Sequence, residues 1–133
     1  MLTKEEFITN KVKLVEEDST KGKILMMYPL DKEDYNSYPL MYEREKKTIE
    51  KRVMDLCKKY KPKRVLEIGF GLGYTATTFQ KYGIKEHIIV EPHPKIFKKA
   101  VKWANKYQGK SRIQLVQSFI QDFKYDEKGY DLI

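Results

Sequence analysis

One cysteine and no long apolar run occur in the sequence, and each shortage removes a class of protein. A lone Cys57 cannot close an internal disulfide, which fits a reducing, cytoplasmic setting. No stretch approaches the roughly 18–20 apolar residues that a bilayer-spanning helix needs, so no membrane partner is expected. The opening Met1-Leu2-Thr3-Lys4-Glu5-Glu6 carries acids where a secretory or organelle signal is basic and then apolar. Two histidines without a clustered cysteine or carboxylate pattern make no metal site. Repeats and low-complexity tracts are missing too, and 133 residues leave room for one domain and not two.

Charge is what the chain has in plenty. Charged residues make up 35% of it, and the formal net charge is +8. Residues 1–37 carry six basic and eight acidic side chains, residues 38–64 ten and four, and residues 65–133 eleven and seven. The excess therefore concentrates just ahead of a glycine-rich stretch. Such a face attracts nucleic acid or an acidic substrate, or is the solvated side of a lysine-rich helix. No nucleic-acid motif accompanies it.

Periodicity sorts the chain into elements. Thr3 and Glu6 have capping-box spacing, and Phe7, Ile8, Val12 and Val15 recur at helical intervals, which predicts a helix over about 3–16. Ile24-Leu25-Met26-Met27-Tyr28 reads as a short strand or as a loop packed over a site. From Pro39 the pattern turns helical: Ile49, Val53, Leu56, Cys57 and Tyr60 share a face, and Pro62 ends the helix. On that face Cys57 is core rather than nucleophile.

The period then changes. Arg64-Val65-Leu66-Glu67-Ile68 is a strand; a helix with Thr75, Ala76, Phe79 and Tyr82 follows, closed by Gly83. His87-Ile88-Ile89-Val90-Glu91 is a second buried strand, and Pro94 opens the next helix. Ile113-Gln114-Leu115-Val116 is a third strand, and Tyr130-Asp131-Leu132-Ile133 begins a fourth. This alternation predicts an α/β, Rossmann-like parallel sheet with crossover helices, preceded by N-terminal helices.

The glycines carry the first sign of chemistry. Strand, glycine-rich turn and helix form a nucleotide-site design, because glycine allows a sharp turn and the helix start presents unpaired N–H groups. The spacing is Glu67-x-Gly69-x-Gly71-x-Gly73. A dinucleotide fingerprint read from Gly69 demands a small residue where Tyr74 stands, and a Walker loop has no counterpart. The turn suits a nucleoside-like ligand without a pyrophosphate. Glu91 lies 18 residues beyond Gly73, at the tip of the next strand. It is expected to face the turn and accept hydrogen bonds from two ribose hydroxyls; the bland alternative is an exposed strand-end glutamate. Glu67 lies inside its strand end, where a carboxylate needs a donor or a cation. It is assigned to orienting the loop or a ligand amine. His87 is read as structural, and Trp103 as packing.

Val65-Leu66-Glu67-Ile68-Gly69-Phe70-Gly71-Leu72-Gly73, followed by Ile88-Ile89-Val90-Glu91, resembles the first two motifs of class I S-adenosylmethionine-dependent methyltransferases. The resemblance implies a Rossmann-like class I methyltransferase fold with S-adenosyl-L-methionine as cofactor. It assigns cofactor contacts to Glu67 and to Gly69, Gly71 and Gly73, with Phe70 and Tyr74 beside them. Glu91 would take the ribose, and Pro92 and His93 would lie along the ribose or adenine edge.

More narrowly, Leu66-Glu67-Ile68-Gly69-Phe70-Gly71, the Glu86-His87 pair and Trp103-Ala104 are similar to the guanidinoacetate and arginine N-methyltransferases. Upstream, Pro39-Leu40-Met41 and Glu45 resemble that family's segment in which a methionine touches the cofactor and a glutamate pairs with the acceptor's guanidinium. Glu45 is thus the implied catalytic residue, with an exposed helix glutamate as its plain alternative. Downstream, Ser118-Phe119-Ile120-Gln121-Asp122 occupies the adenine loop. Gln121 and Asp122 match the family pattern, while Ile120 stands in place of a tryptophan, so that adenine stacking is either weaker or supplied by Phe119.

Residues 38–133 are therefore expected to be the N-terminal part of a cofactor-binding domain, behind a helical or cap segment over 1–37. Class I methyltransferases use seven strands, so the resemblance also implies that a longer protein or a second chain completes the sheet. The implied reaction is methyl transfer to nitrogen on a small-molecule acceptor. An RNA or protein acceptor, a non-catalytic subunit that keeps the fold, and a nicotinamide enzyme stay open beside it.

Overall fold

A computed structural model describes residues 3–18, 21–28, 38–107 and 109–133. The chain divides into two compact units, Met1–Lys47 and Thr48–Ile133.

In the first unit, Thr3 caps α1 (Lys4–Thr9): its side chain accepts the Glu6 N–H at 3.1 Å, and Glu6 Oε2 accepts the Thr3 N–H at 2.8 Å. The capping box forms as its spacing predicts, but the helix ends at Thr9 and not near residue 16. Asn10 turns extended (φ −63°, ψ 147°), and Lys11–Asp18 becomes β1. Cross-strand pairing decides this. Val12 lies opposite Met27 and Leu14 opposite Leu25 on β2 (Gly22–Tyr28), and Val12, Leu25 and Met27 are buried. By contrast α1 buries nothing. A helix that short has no stability of its own, so apolar spacing lost to the sheet.

The patch at residues 24–28 is therefore strand. Residues 38–42, where a helix was expected to begin, also form a strand, β3 (Tyr38–Tyr42), completing an antiparallel sheet in the order β1-β2-β3. Pro39, which has no N–H to donate, sits beside the register irregularity at Leu25/Met26. The N-terminal part is thus a small sheet with one short helix, in place of the expected helices. A 3-10 turn, Glu43–Glu45, follows β3, and Glu43 Oε2 accepts the Lys23 N–H at 2.9 Å.

α2 (Lys46–Tyr60) lies in the second unit from Thr48 onward, and there it packs Val53 and Cys57 against Val65, Phe79 and Ile84. Burial pushes the Cys57 thiol pKa up, as befits a core side chain. Leu56 and Tyr60, expected on the inner face, are exposed. Then β4 (Arg64–Ile68), α3 (Tyr74–Tyr82), β5 (Glu86–Val90), α4 (Pro94–Asn105) and β6 (Arg112–Val116) alternate, and the strands pair in parallel as β4-β5-β6.

The register sets Val65, His87 and Ile113 in one row and Ile68, Val90 and Val116 in another, so the C-terminal strand ends lie side by side. Alternation splits the side chains between two faces. Val65 and His87 meet the helices, His87 through Phe79 and Trp103. Leu66, Ile88 and Val90 meet Val116, Ile120, Phe123 and Tyr130 on the other face. Leu132 makes a parallel bridge to Val65, which places the segment expected to begin a further strand beside β4. Arg64 fastens that segment: it bonds Glu86 at 2.9 Å, Asp126 at 2.7 Å and the Gly129 carbonyl. No helix among the described residues is long and apolar enough to cross a membrane.

Candidate functional site

The chain leaves β4 through a bend in which Gly69, Gly71 and Gly73 all have positive φ, at 83°, 57° and 81°. L side chains avoid that region, and Gly73 has a second constraint. A Cβ there would lie 2.7 Å from the Phe70 ring. Phe70 is buried under the bend and packs on Trp103, with ring centroids 5.4 Å apart. The Gly73 N–H closes the turn onto the Phe70 carbonyl at 2.9 Å, and Gly73 leads into α3 as its N-cap. Tyr74 is the first helical residue.

The tip of β5 enters this bend. The Gly69 N–H donates to the Val90 carbonyl at 2.8 Å, and the next side chain, Glu91, turns inward. Its Oε1 accepts the Phe70 N–H at 3.0 Å and its Oε2 accepts the His93 N–H at 2.7 Å. Glu91 is 4% exposed, so it is no solvent-facing strand-end glutamate. It faces the glycine turn, as the parallel register requires. Pro92 is half-buried. His93 is buried and caps α4, its Nδ1 accepting the Lys95 N–H at 3.2 Å.

Glu67, at the end of β4, is buried, and its Oε2 lies 2.9 Å from His87 Nε2. Gln80 Nε2 meets His87 Nδ1, also at 2.9 Å. Burial pushes the Glu67 carboxyl above the usual carboxylate range, and the His87 bond opposes that shift. The Trp103 indole N–H donates to Thr77 Oγ1 at 3.0 Å. His87 thus supplies the donor that a buried Glu67 demands. That partner was not recognised from the sequence, although Glu67 and His87 lie on one face of adjoining strands, two registers apart. A buried acid and a same-face histidine at that offset are the signal that could have found it.

Ile120 packs against the Leu66–Ile88–Val90 cluster, and Gln121 is exposed beside it on a 3-10 turn, Ile120–Asp122, beyond β6. Met41 lies on β3 and Glu45, exposed, on the 3-10 turn that follows it; both belong to the first unit. Among the described residues no group of three or more His, Cys, Asp and Glu could hold a metal ion.

Chemically, the bend offers close backbone approach and two buried carboxylates. Acids at the ends of adjoining strands repel a pyrophosphate and favour a ligand that pairs hydroxyls and a positive charge. Each Glu91 oxygen keeps a further acceptor direction beyond the N–H it already takes, which is what two ribose hydroxyls need. These residues fit an adenosyl sulfonium. A family model described as guanidinoacetate N-methyltransferase matches residues 39–123, more than half of the chain.

Proposed function

The chain belongs to the guanidinoacetate N-methyltransferase family, and on that premise we propose that it transfers a methyl group from S-adenosylmethionine to a nitrogen of a small guanidino or amino compound. The observation that supports this reading best is the bond from Phe70 N–H to Glu91, which joins the acidic strand tip to the glycine bend. Glu91 would hold the ribose, and the bend would admit the amino-acid portion at close range. Glu67 would balance positive charge.

What a bound S-adenosylmethionine brings is an electrophilic methyl on a positively charged sulfur; transfer to nitrogen breaks that C–S bond, leaves a thioether and releases one N–H proton. In-line displacement of this kind needs positioning more than covalent help. Glu45 would pair with a guanidinium acceptor and help take its proton, the role implied by the resemblance. Met41, Tyr74, Pro92, His93, Ile120 and Gln121 complete the proposed cofactor contacts. A small-molecule acceptor and a cytoplasmic setting go with this reading.

The test is calorimetry with S-adenosylmethionine followed by transfer of labelled methyl to guanidinoacetate, arginine and simple amines. Saturable binding and a methylated guanidino product are expected. Failure to bind S-adenosylmethionine sinks the proposal; binding with no methylation of any of these nitrogens sinks its acceptor half.

A further inference from the structure

We infer that His87 is a positioning residue of the ligand site: through a buried chain, Gln80–His87–Glu67, it holds the Glu67 carboxyl group at the end of β4 in place for the cationic part of the ligand. The inference rests on the cofactor reading proposed above and deepens it.

The two hydrogen bonds of the imidazole fix each other. With the Gln80 amide nitrogen turned toward Nδ1 at 2.9 Å, Nδ1 accepts. The ring's one proton then sits on Nε2, which donates to Glu67 Oε2 at 2.9 Å. The imidazole in this arrangement is held at both nitrogens, by Gln80 on one side and Glu67 on the other.

Among the described residues, the other groups packed on the histidine are uncharged. α3 contributes Gln80 and the edge-on ring of Phe79 at 5.6 Å, α4 contributes Trp103 at 6.0 Å, and β4 contributes Glu67 itself. His87 is fully buried, and apart from burial itself only His87 shifts the Glu67 carboxyl.

A buried carboxyl group is a liability to folding. Had the position only to be filled, an apolar side chain would serve better. Its place in the chain, two residues before Gly69, sets it next to the bend, where a cationic ligand would be a further partner. The walls also keep the imidazole from turning away. Trp103 lies against both His87 and Phe70, so one side chain braces the acid's donor and the bend together.

Three variants of the full chain test this. His87→Leu removes the donor to Glu67, and His87→Gln returns an N–H at a similar reach. Gln80→Leu leaves both Glu67 and His87 in place but takes away the donor to Nδ1. The first readout is a carbon-13 NMR titration of the Glu67 carboxyl without ligand. The second is the pH dependence of S-adenosylmethionine affinity by calorimetry.

In His87→Leu the carboxyl midpoint should move to higher pH, the affinity midpoint should follow it, and neutral-pH affinity should fall about tenfold or more, the equivalent of one charge-assisted hydrogen bond. His87→Gln should restore most of each. A lower melting temperature in His87→Leu with both midpoints unmoved overturns the inference.

Should His87→Leu not fold, Gln80→Leu decides. It should shift the imidazole nitrogen-15 NMR signals and weaken affinity for the cation. Unchanged imidazole nitrogens with unchanged affinity overturn the inference. A moving carboxyl midpoint in a wild type that takes up no S-adenosylmethionine defeats the cofactor reading and leaves the positioning of Glu67 standing. An unmoved midpoint with intact binding does the reverse.

Discussion

Glu91 Oε1 accepts the backbone N–H of Phe70 at 3.0 Å, so the end of β5 is bonded into the bend that follows β4. The other oxygen takes the His93 N–H at 2.7 Å, at the start of α4. One side chain therefore ties two strand-to-helix transitions together. In Glu91→Gln the amide can satisfy only one of these two donors and turns its own N–H toward the other. We expect a loss of about 1–3 kcal/mol in stability, read from urea denaturation, for one stranded backbone donor. Calorimetry should show S-adenosylmethionine binding weakened roughly tenfold or more.

Two glycines separate conformational strain from crowding. Gly83 has φ 96° and open space around an added Cβ, so Gly83→Ala should cost only the left-handed penalty of about 1–2 kcal/mol. Gly73 has φ 81° and the Phe70 ring 2.7 Å from that Cβ. Gly73→Ala should cost more than Gly83→Ala in the same denaturation experiment and should also abolish ligand uptake, because Phe70 must move. Equal costs would mean that the ring yields freely.

Acid stability should depend on Asp131. Its carboxylate accepts the N–H groups of Arg64 and Lys63, each at 2.8 Å, and those bonds hold its pKa below the ordinary aspartate range. A depressed carboxyl stabilises the fold above its unfolded value, and the contribution disappears as pH falls through the folded one. Asp131→Asn should therefore be less stable than wild type near neutrality, with the gap closing below about pH 4. Urea midpoints across that range check it.

Glu67 has the opposite sign. Its pKa is raised, chiefly by burial, so the folded state holds a proton more firmly than the unfolded chain does. Stability is then lost as pH rises from the ordinary carboxylate range through the raised value. Glu67→Gln keeps an acceptor for His87 without the charge. Its melting temperature at pH 7 should exceed that of wild type, while S-adenosylmethionine affinity drops. A melting temperature below wild type would show that the charge itself supports the fold.

For Glu45, steady-state kinetics give the test. Glu45→Gln should lower the rate of methyl transfer to a guanidino acceptor by about 100-fold or more, in the range expected for a proton acceptor. Affinity for S-adenosylmethionine measured by calorimetry should not change. Equal rates in the two proteins would return Glu45 to an ordinary exposed glutamate.

The parallel half was readable almost residue by residue. Arg64–Ile68 is the strand its apolar run predicts, Gly83 closes α3 in the left-handed region, and Pro94 occupies the first turn of α4. Those signals are local: a β-branched run, a left-handed cap and a residue without a donor act within a few positions. The approach of Glu91 to the glycine turn was legible too, because a short crossover between parallel neighbours brings successive strand ends together. The first unit was not readable in this way. Phe7, Ile8, Val12 and Val15 satisfy a helical period, yet Lys11–Asp18 is a strand because Leu25 and Met27 lie across from it. A partner that arrives later in the chain leaves no mark on local spacing.

From its sequence alone the protein had its alternation of strand and helix, its glycine bend and its acidic strand tip, since each follows from backbone preferences of neighbouring residues. Only the tertiary structure chose the strand in place of the helix at residues 11–18 and gave Glu67 a histidine from the next strand. Both choices turn on which side chains face one another across a sheet, and that is settled by register and burial rather than by order along the chain.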